Sequence, residues 1–335
     1  MMEEKKAKVS VLITFYNQEK YVDDAIKSVM DQKTDFPFLI IAGDDGSSDG
    51  TVSKIKEWEG KYPDIISHIV MPRDPGKKYI SASRASKNRL ALLEKVETPY
   101  FIYLDGDDFW TSEEKLQRQV DILEKPENSD CVACGHKLSG FWEDHPEDTT
   151  SYPDFDLPER KIDLKTYLSK YYLSTDTLLF RSGYIKDIDT KLLTEDFNDT
   201  LITYSFMQFG KIYYLPDAMA VYRQLNGSIF MGAKSMVTVV RQIMGYDYAV
   251  KINPNMESLL RRRYYNVFSE AIERAAAFQD VNPEYLNIAK TYGLKTAEKY
   301  MSTGHLFSDS AAEDRRILKK IYFDKQVNRL YYHFK

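Results

Sequence analysis

Asp105, Asp107 and Asp108 crowd together directly after the apolar run Phe101–Leu104, and an aromatic pair, Phe109 and Trp110, follows them. Carboxylates this close repel one another, and each costs free energy if kept dry. Two arrangements suit such a cluster: a solvated acidic turn, or a hard cation held by carboxylate oxygens. A second acidic stretch, GDDGSSDG from Gly43 to Gly50, lies earlier in the chain. Asp45, Ser47, Asp49 and Gly50 fit the opening of a calcium loop, but Lys56 stands where the closing bidentate Glu belongs. Phe109 and Trp110 break the same pattern in the first cluster. Neither stretch is an EF-hand.

The two cysteines, Cys131 and Cys134, form a CxxC with His136 two residues on. A structural zinc needs about four ligands, and no second CxxC supplies the rest. A short buried strand with free thiols accounts for the same residues. The basic residues are unevenly placed. Between Arg315 and Lys335 seven Lys/Arg face one Asp, a local +6 in a chain of net charge −5, so the remainder carries −11. A net negative chain argues against general nucleic-acid binding.

These residues need elements to position them. The 335 residues, 43% hydrophobic and 29% charged, suffice for one large domain or two and exclude general disorder. The start, MMEEKKAKVS, has no apolar h-region, and no apolar run is long enough to span a bilayer, so a cytoplasmic protein is expected. Val9 to Asn17 is an apolar, β-branched run that stops at a polar turn, as a buried parallel strand does. Val22, Ile26, Val29 and Met30 then recur at helical spacing. A strand from Phe38 leads into the GDDGSSDG turn, where Ser48 or Asp49 is placed to cap a helix over 51–58. Further strands are predicted at 65–70 and 99–104, with a helix over 81–95. This alternation means an α/β domain with a mostly parallel sheet. Open α/β sheets bind ligands beyond the carboxyl ends of their strands, so these polar loops should line one edge.

Past about residue 125 the pattern changes. Residues 136–161, rich in Pro, Asp and Glu, are expected to form a long loop. Strands are expected within 174–181 and 211–223, and a helix over 201–209. From Gly232 the chain reads as helical, including 256–278, with a boundary near 230.

Taken in order, VSVLITFYNQEKYVDDAIKSVMDQ, GDDGSSDGT, LDGDDFW and GKIYYLPDAMAVYR resemble the family 2 glycosyltransferases over roughly residues 9–228. The resemblance implies the GT-A fold, an α/β architecture of the nucleotide-diphospho-sugar transferase kind, with a mostly parallel sheet flanked by helices. It implies a glycosyltransferase domain at 1–230, made of a nucleotide-sugar-binding half (1–125) and an acceptor half (126–230). A helical C-terminal region, 231–335, follows. The implied reaction is metal-dependent and inverting: a sugar passes from a UDP-sugar to a hydroxyl of a glycan or lipid-linked oligosaccharide, in surface polysaccharide synthesis.

The resemblance also distributes roles. The backbone of Thr14, Phe15 and Tyr16 would line the nucleoside pocket, with Tyr16 beside base or ribose. Asp45 would accept the uracil N3 hydrogen, with Asp44 its neighbour. Arg84 and Asn88 are polar donor contacts, unless they belong to a solvated helix face. Asp105, Gly106 and Asp107 form a DxD motif for Mn²⁺ or Mg²⁺, with Asp107 the first choice for direct coordination. Asp108 would bind a water ligand or the donor sugar. Arg223 would contact the diphosphate; Leu225 stands where the family often has His, while Ser228 is kept. The base is a carboxylate opening a helix, Asp199 with Asp196 in reserve, although such a residue also serves as a cap.

Two other readings share this fold. A sugar-nucleotide nucleotidyltransferase would need a Gly-rich basic loop, and Thr14–Tyr21 contains no glycine. A non-catalytic nucleotide- or glycan-binding module would not need a base. The basic and aromatic segment 315–335 suits contact with an anionic membrane surface, a terminal helix packed on the body, or a homodimer contact. Arg261 to Arg263 are placed to meet an acceptor diphosphate or to form a solvated helix face.

Overall fold

The structure, a computed structural model, describes residues 6–74, 76, 81–194, 197–225, 245, 246 and 248–260. The chain divides into two compact units, 1–225 and 226–335.

The first unit alternates strands and helices: β1 (Val9–Phe15), α1 (Val22–Met30), β2 (Phe38–Asp44), α2 (Thr51–Lys61), β3 (Ile66–Val70), α3 (Ser81–Leu93), β4 (Tyr100–Asp105) and the short β5 (Phe109–Trp110). There follow α4 (Lys115–Glu124), β6 (Cys131–Trp142), β7 (His145–Tyr152), β8 (Arg160–Ile162), α5 (Leu164–Lys170), β9 (Leu179–Arg181), α6 (Asp199–Phe206) and β10 (Lys211–Gln224). Among the described residues the strands make one sheet in the order β3-β2-β1-β4-β9-β6-β10-β5, with β7 on β6 and β8 on β10. β3, β2, β1 and β4 are all parallel, as is the long β6–β10 pair. The other pairings are antiparallel, so the mostly parallel sheet expected from the sequence holds for the first half and is mixed in the second.

The apolar run of β1 is continuous because both faces are covered. Val9, Val11, Ile13 and Phe15 pack with Val22, Ile26 and Val29 of α1 and with Ile40, Ile102 and Leu104. The opposite face is aromatic: Phe101, Phe180 and Phe206 meet with ring centroids 4.7–5.5 Å apart. Burying each aliphatic side chain this fully contributes roughly 1.5–3 kcal/mol.

Residues 136–161 do not form the expected loop. They belong largely to β6, β7 and β8, and Leu138 and Leu157 within them are buried. The polar content misled because β7 is an edge strand whose residues 145–149 face solvent. The cap of α2 also differs: Gly50 occupies the N-cap, and Asp49 just before it accepts from the Thr51 N–H and hydroxyl. Most of 231–335, including 261–263 and 315–335, lies outside the described residues. In the second unit the backbone is helical at 248–252, and a 3-10 turn spans Pro254–Met256. Among the described residues no helix is long and apolar enough to cross a membrane.

Candidate active site

Because β1, β2 and β4 are parallel neighbours, their carboxyl ends open on one edge: Phe15 is paired with Asp44, and Thr14 with Asp105. Cross-links lock the loops there. Asn17 takes a positive φ of 51°, tolerable for Asn. Its backbone N–H donates to Ser47 Oγ and its side-chain oxygen accepts from the Ser48 N–H, both at 2.8 Å. The Asp45 N–H bonds the Phe15 carbonyl, and the Gly106 N–H bonds that of Thr14. A Cβ on Gly106 would lie 2.2 Å from the Phe15 ring, so only glycine lets the acidic loop cross here. Phe15 itself is core, 1% exposed.

On the β2 side Asp44 is fully buried, and its carboxylate accepts from the Gly46 and Ser47 N–H groups and the Ser47 hydroxyl. It builds the turn. Asp45 lies between two guanidinium groups, Arg73 Nη2 at 2.7 Å and Arg84 Nη2 at 2.6 Å. Arg73 also stacks 4.0 Å from the centroid of the exposed Tyr16 ring and donates to its hydroxyl. Arg84 and Asn88 are not on a solvated face: both are buried, and Asn88 donates to the Gly43 carbonyl.

At the end of β4, Asp105 Oδ1 accepts from Arg89 Nη2 (2.7 Å) and Thr14 Oγ1 (3.1 Å). The Asp105 N–H donates to Asp176 Oδ1 at 2.9 Å, and Ser174 holds the other oxygen of Asp176. Asp108 is 1% exposed; its Oδ1 accepts from the Arg223 N–H, whereas its buried Oδ2 has no partner. One oxygen each from Asp105, Asp108 and Asp176 lies within 4.8 Å of the others, the one group of this kind among the described residues. Asp107 is not in that group. Burial, then the charge of Asp105, pushes the Asp107 carboxyl up to about 7. Burial, then Asp105 and Asp199, does the same to Asp176, also to about 7. Asp108 is raised well above the carboxylate range by burial and by the charges of Asp176, Asp107 and Asp105. Three carboxylates and an orphaned buried oxygen fit a hard divalent cation, which needs anionic oxygens and relieves their repulsion.

Asp199 opens α6, but the cap is made by Asn198, whose side chain accepts from the Leu201 N–H at 2.8 Å. Asp199 is thereby free of the capping role. Its Oδ1 accepts from Arg89 Nη1 (3.0 Å) and Thr175 Oγ1 (2.9 Å), and its Oδ2 from the Tyr172 hydroxyl (2.6 Å). Burial pushes its carboxyl up, but the Arg89 charge and these hydrogen bonds outweigh burial and hold it below the usual range. Asp196 lies outside the described residues. Arg223 sits under the acidic loop: Nε donates to the Asp107 carbonyl, Nη2 reaches Asp24 at 3.1 Å, and the guanidinium lies 4.8 Å from the Tyr21 ring centroid.

The sequence reading missed Arg73, Arg89, Tyr172 and Asp176. Arg89 alone carried a signal, one residue after Asn88 on the helix that faces the strand ends. Arg73 and Tyr172 come from loops, and Asp176 from a short 3-10 turn, Thr175–Thr177, whose path only the fold decides. The CxxC is the buried strand with free thiols: Cys131 and Cys134 are buried, and burial pushes the Cys131 thiol up to about 11. His136 is buried too, and burial pushes its imidazole well below the usual value.

The family model described as Glycosyl transferase family 2 matches residues 10–189. An uncharacterized protein of Mycobacterium tuberculosis is 27% identical over 231 residues, covering 67% of this chain and 61% of its own length. The chain thus spans about three fifths of the relatives of that kind. A teichoic acid poly(glycerol phosphate) polymerase of Staphylococcus epidermidis is 26% identical over 309 residues, 88% of this chain and 36% of the polymerase. Among solved structures, S. aureus TarS in complex with UDP superposes with a TM-score of 0.55 at 19% identity, over 82% of this chain and 73% of TarS.

Proposed function

The chain belongs to the family 2 glycosyltransferases, and from that premise we propose that it transfers a sugar from a UDP-sugar to a hydroxyl of a glycan or lipid-linked acceptor, with inversion. In this reading residues 1–230 are the catalytic domain. Tyr16, stacked under Arg73, flanks the base, and Asp45 accepts its N3 hydrogen. That the TarS structure holds UDP supports a uridine donor. When bound, Mn²⁺ or Mg²⁺ would neutralise the departing diphosphate, and Asp105, Asp108 and Asp176 are the residues that would hold it.

The chain's own residues do the rest. Asp199 Oδ2 takes the proton of the acceptor hydroxyl. The acceptor oxygen's electron pair forms the new bond to the anomeric carbon, and the old C–O bond breaks with its pair leaving on UDP. Arg89 orients Asp199 and ties it to Asp105. The observation that carries the proposal is this bridge, in which one buried guanidinium joins the acidic group to a carboxylate not consumed by capping. The polymerase relative supports a cell-surface polysaccharide as the product.

Isothermal calorimetry with UDP, GDP and CDP, with and without Mn²⁺, tests the donor site. Metal-dependent binding that prefers UDP and is lost in Asp108→Asn is expected. Asp199→Asn should bind UDP normally yet release none from a UDP-sugar. A wild-type preference for GDP would overturn the donor assignment, and turnover in Asp199→Asn would overturn the base.

A further inference from the structure

Tyr172 is exposed by 43%, although its hydroxyl is anchored on the candidate base. The lone pairs of Asp199 decide what can lie next to it. Oδ1 is saturated by Arg89 and Thr175, whereas Oδ2 accepts a single bond, from Tyr172. A carboxylate oxygen takes two donors, so Oδ2 keeps one free direction, and a proton can be delivered only there. A general base must lie within hydrogen-bond reach of the hydroxyl it deprotonates. The reacting acceptor hydroxyl therefore sits beside the Tyr172 hydroxyl, and the rest of the acceptor residue must pass over the exposed Tyr172 ring.

The ring is built to stay in place. Its hydroxyl is tied down, and its ring makes a T-shaped contact with the Tyr152 ring, at 78° with centroids 6.4 Å apart. An aromatic face is electron-rich and attracts polarised C–H bonds. A pyranose offers such a face, with hydroxyls projecting from its rim. A glycerol- or ribitol-phosphate unit offers no face and brings an anion toward Asp199 and Asp176. The guanidinium bonded to Asp199 is already shared with Asp105.

We propose that Tyr172 is the acceptor platform and that the acceptor residue it receives is a pyranose ring, stacked on Tyr172 with one hydroxyl on Asp199 Oδ2. The proposal rests on the reading of Asp199 as the base.

Saturation-transfer difference NMR on the full chain tests it, with and without UDP and Mn²⁺. The probes are methyl β-D-glucopyranoside, methyl β-D-galactopyranoside, methyl β-D-N-acetylglucosaminide, glycerol 3-phosphate and ribitol 5-phosphate. Saturation should enter a pyranoside through its ring C–H protons. Tyr172→Leu, which keeps bulk but not the π face, should weaken that binding about fivefold. Tyr172→Phe should retain it while lowering kcat, and calorimetry should show UDP binding unchanged in both. Pyranoside binding indifferent to Tyr172→Leu would overturn the platform, as would no pyranoside binding in a protein that binds UDP. Tyr172-dependent binding of a polyol phosphate instead would overturn the pyranose assignment. A wild type that binds a pyranoside through Tyr172 but no UDP would refute the donor reading and leave the platform supported.

Discussion

Replacing Arg89 by Met tests whether the two halves of the site share one support. The guanidinium is nearly buried, with 10% of its side chain exposed, and it bonds Asp199 (18% exposed) and Asp105 (37% exposed). Removing one partner of a buried ion pair costs about 3–5 kcal/mol, because the carboxylates left behind are uncompensated. The Asp105 contact is discounted for its exposure, which places the loss near the lower end, about 3 kcal/mol at neutral pH. The pH dependence has a definite sign. In the native protein Arg89 holds Asp199 below its ordinary value, so this contribution is present above the unfolded carboxylate pKa of about 3.9 and lost as pH falls through the lower folded value. In Arg89→Met burial acts unopposed and raises Asp199, so ionisation above about 3.9 then costs stability. The gap between the two proteins should therefore widen from pH 3 to pH 7 in urea melts. Misplacing the base by about 1 Å should also lower kcat on the order of 100-fold, with donor binding reduced far less. A variant within about 1 kcal/mol of the native stability, with a gap that does not grow with pH, would refute the shared support.

Two further outcomes follow from the buried charges. Asp176 is raised to about 7, so it holds its proton below that value and ionises above it. Mn²⁺ must displace the proton, and affinity measured by calorimetry should rise about tenfold from pH 6 to pH 8 for each group titrating near 7; a flat profile would count against Asp176 as a ligand. Lys115 is fully buried, bonded to Gln119 and 4.1 Å from the Trp110 ring centroid, and burial pushes its ammonium well below its usual value. Lys115→Met should stabilise the fold by about 1 kcal/mol at pH 7, the gain vanishing near pH 10 where the unfolded lysine also loses its proton. A loss of stability in thermal melts would show instead that the ammonium is charged and paired.

What the sequence disclosed and what it hid divide along physical lines. β1, β2 and β4 were legible because they are largely buried and read as apolar runs ending in a polar turn, and the short edge strand β3 because Ile65, Ile66, Ile69 and Val70 flank its polar pair. β7 was not, because an edge strand with exposed 145–149 carries the composition of a loop. Asp105, Asp108 and Asp199 stood out as carboxylates at element ends. Asp107, the first choice for the metal, stands outside the group that Asp105 and Asp108 form with Asp176. In a DGDD turn the spacing leaves open which side chains converge; the Arg223 N–H on Asp108 and the crossing of Gly106 over Phe15 decide it. Asp176 lies far from the others in the chain and joins them because β9 inserts antiparallel beside β4.

The acidic loop is where local rules and fold disagree most. Its repulsion is spread over several partners. Asp105 leans on Arg89, Asp108 takes one backbone N–H from Arg223, and Asp176 takes another from Asp105. Around neutral pH, Asp107 and Asp176 are poised between proton and charge. One atom is left over: Asp108 Oδ2, buried and unpartnered. Leaving such a group unsatisfied costs about 1–3 kcal/mol, more if charged. An Asn there would carry the same shape without the charge, so stability alone does not explain the residue. A carboxylate oxygen left unsatisfied among three other buried or half-buried carboxylates is a local conflict of the kind expected of a functional site. The proposed divalent cation would meet that conflict, because it is small and positive and Asp105, Asp108 and Asp176 each turn one oxygen toward the same place.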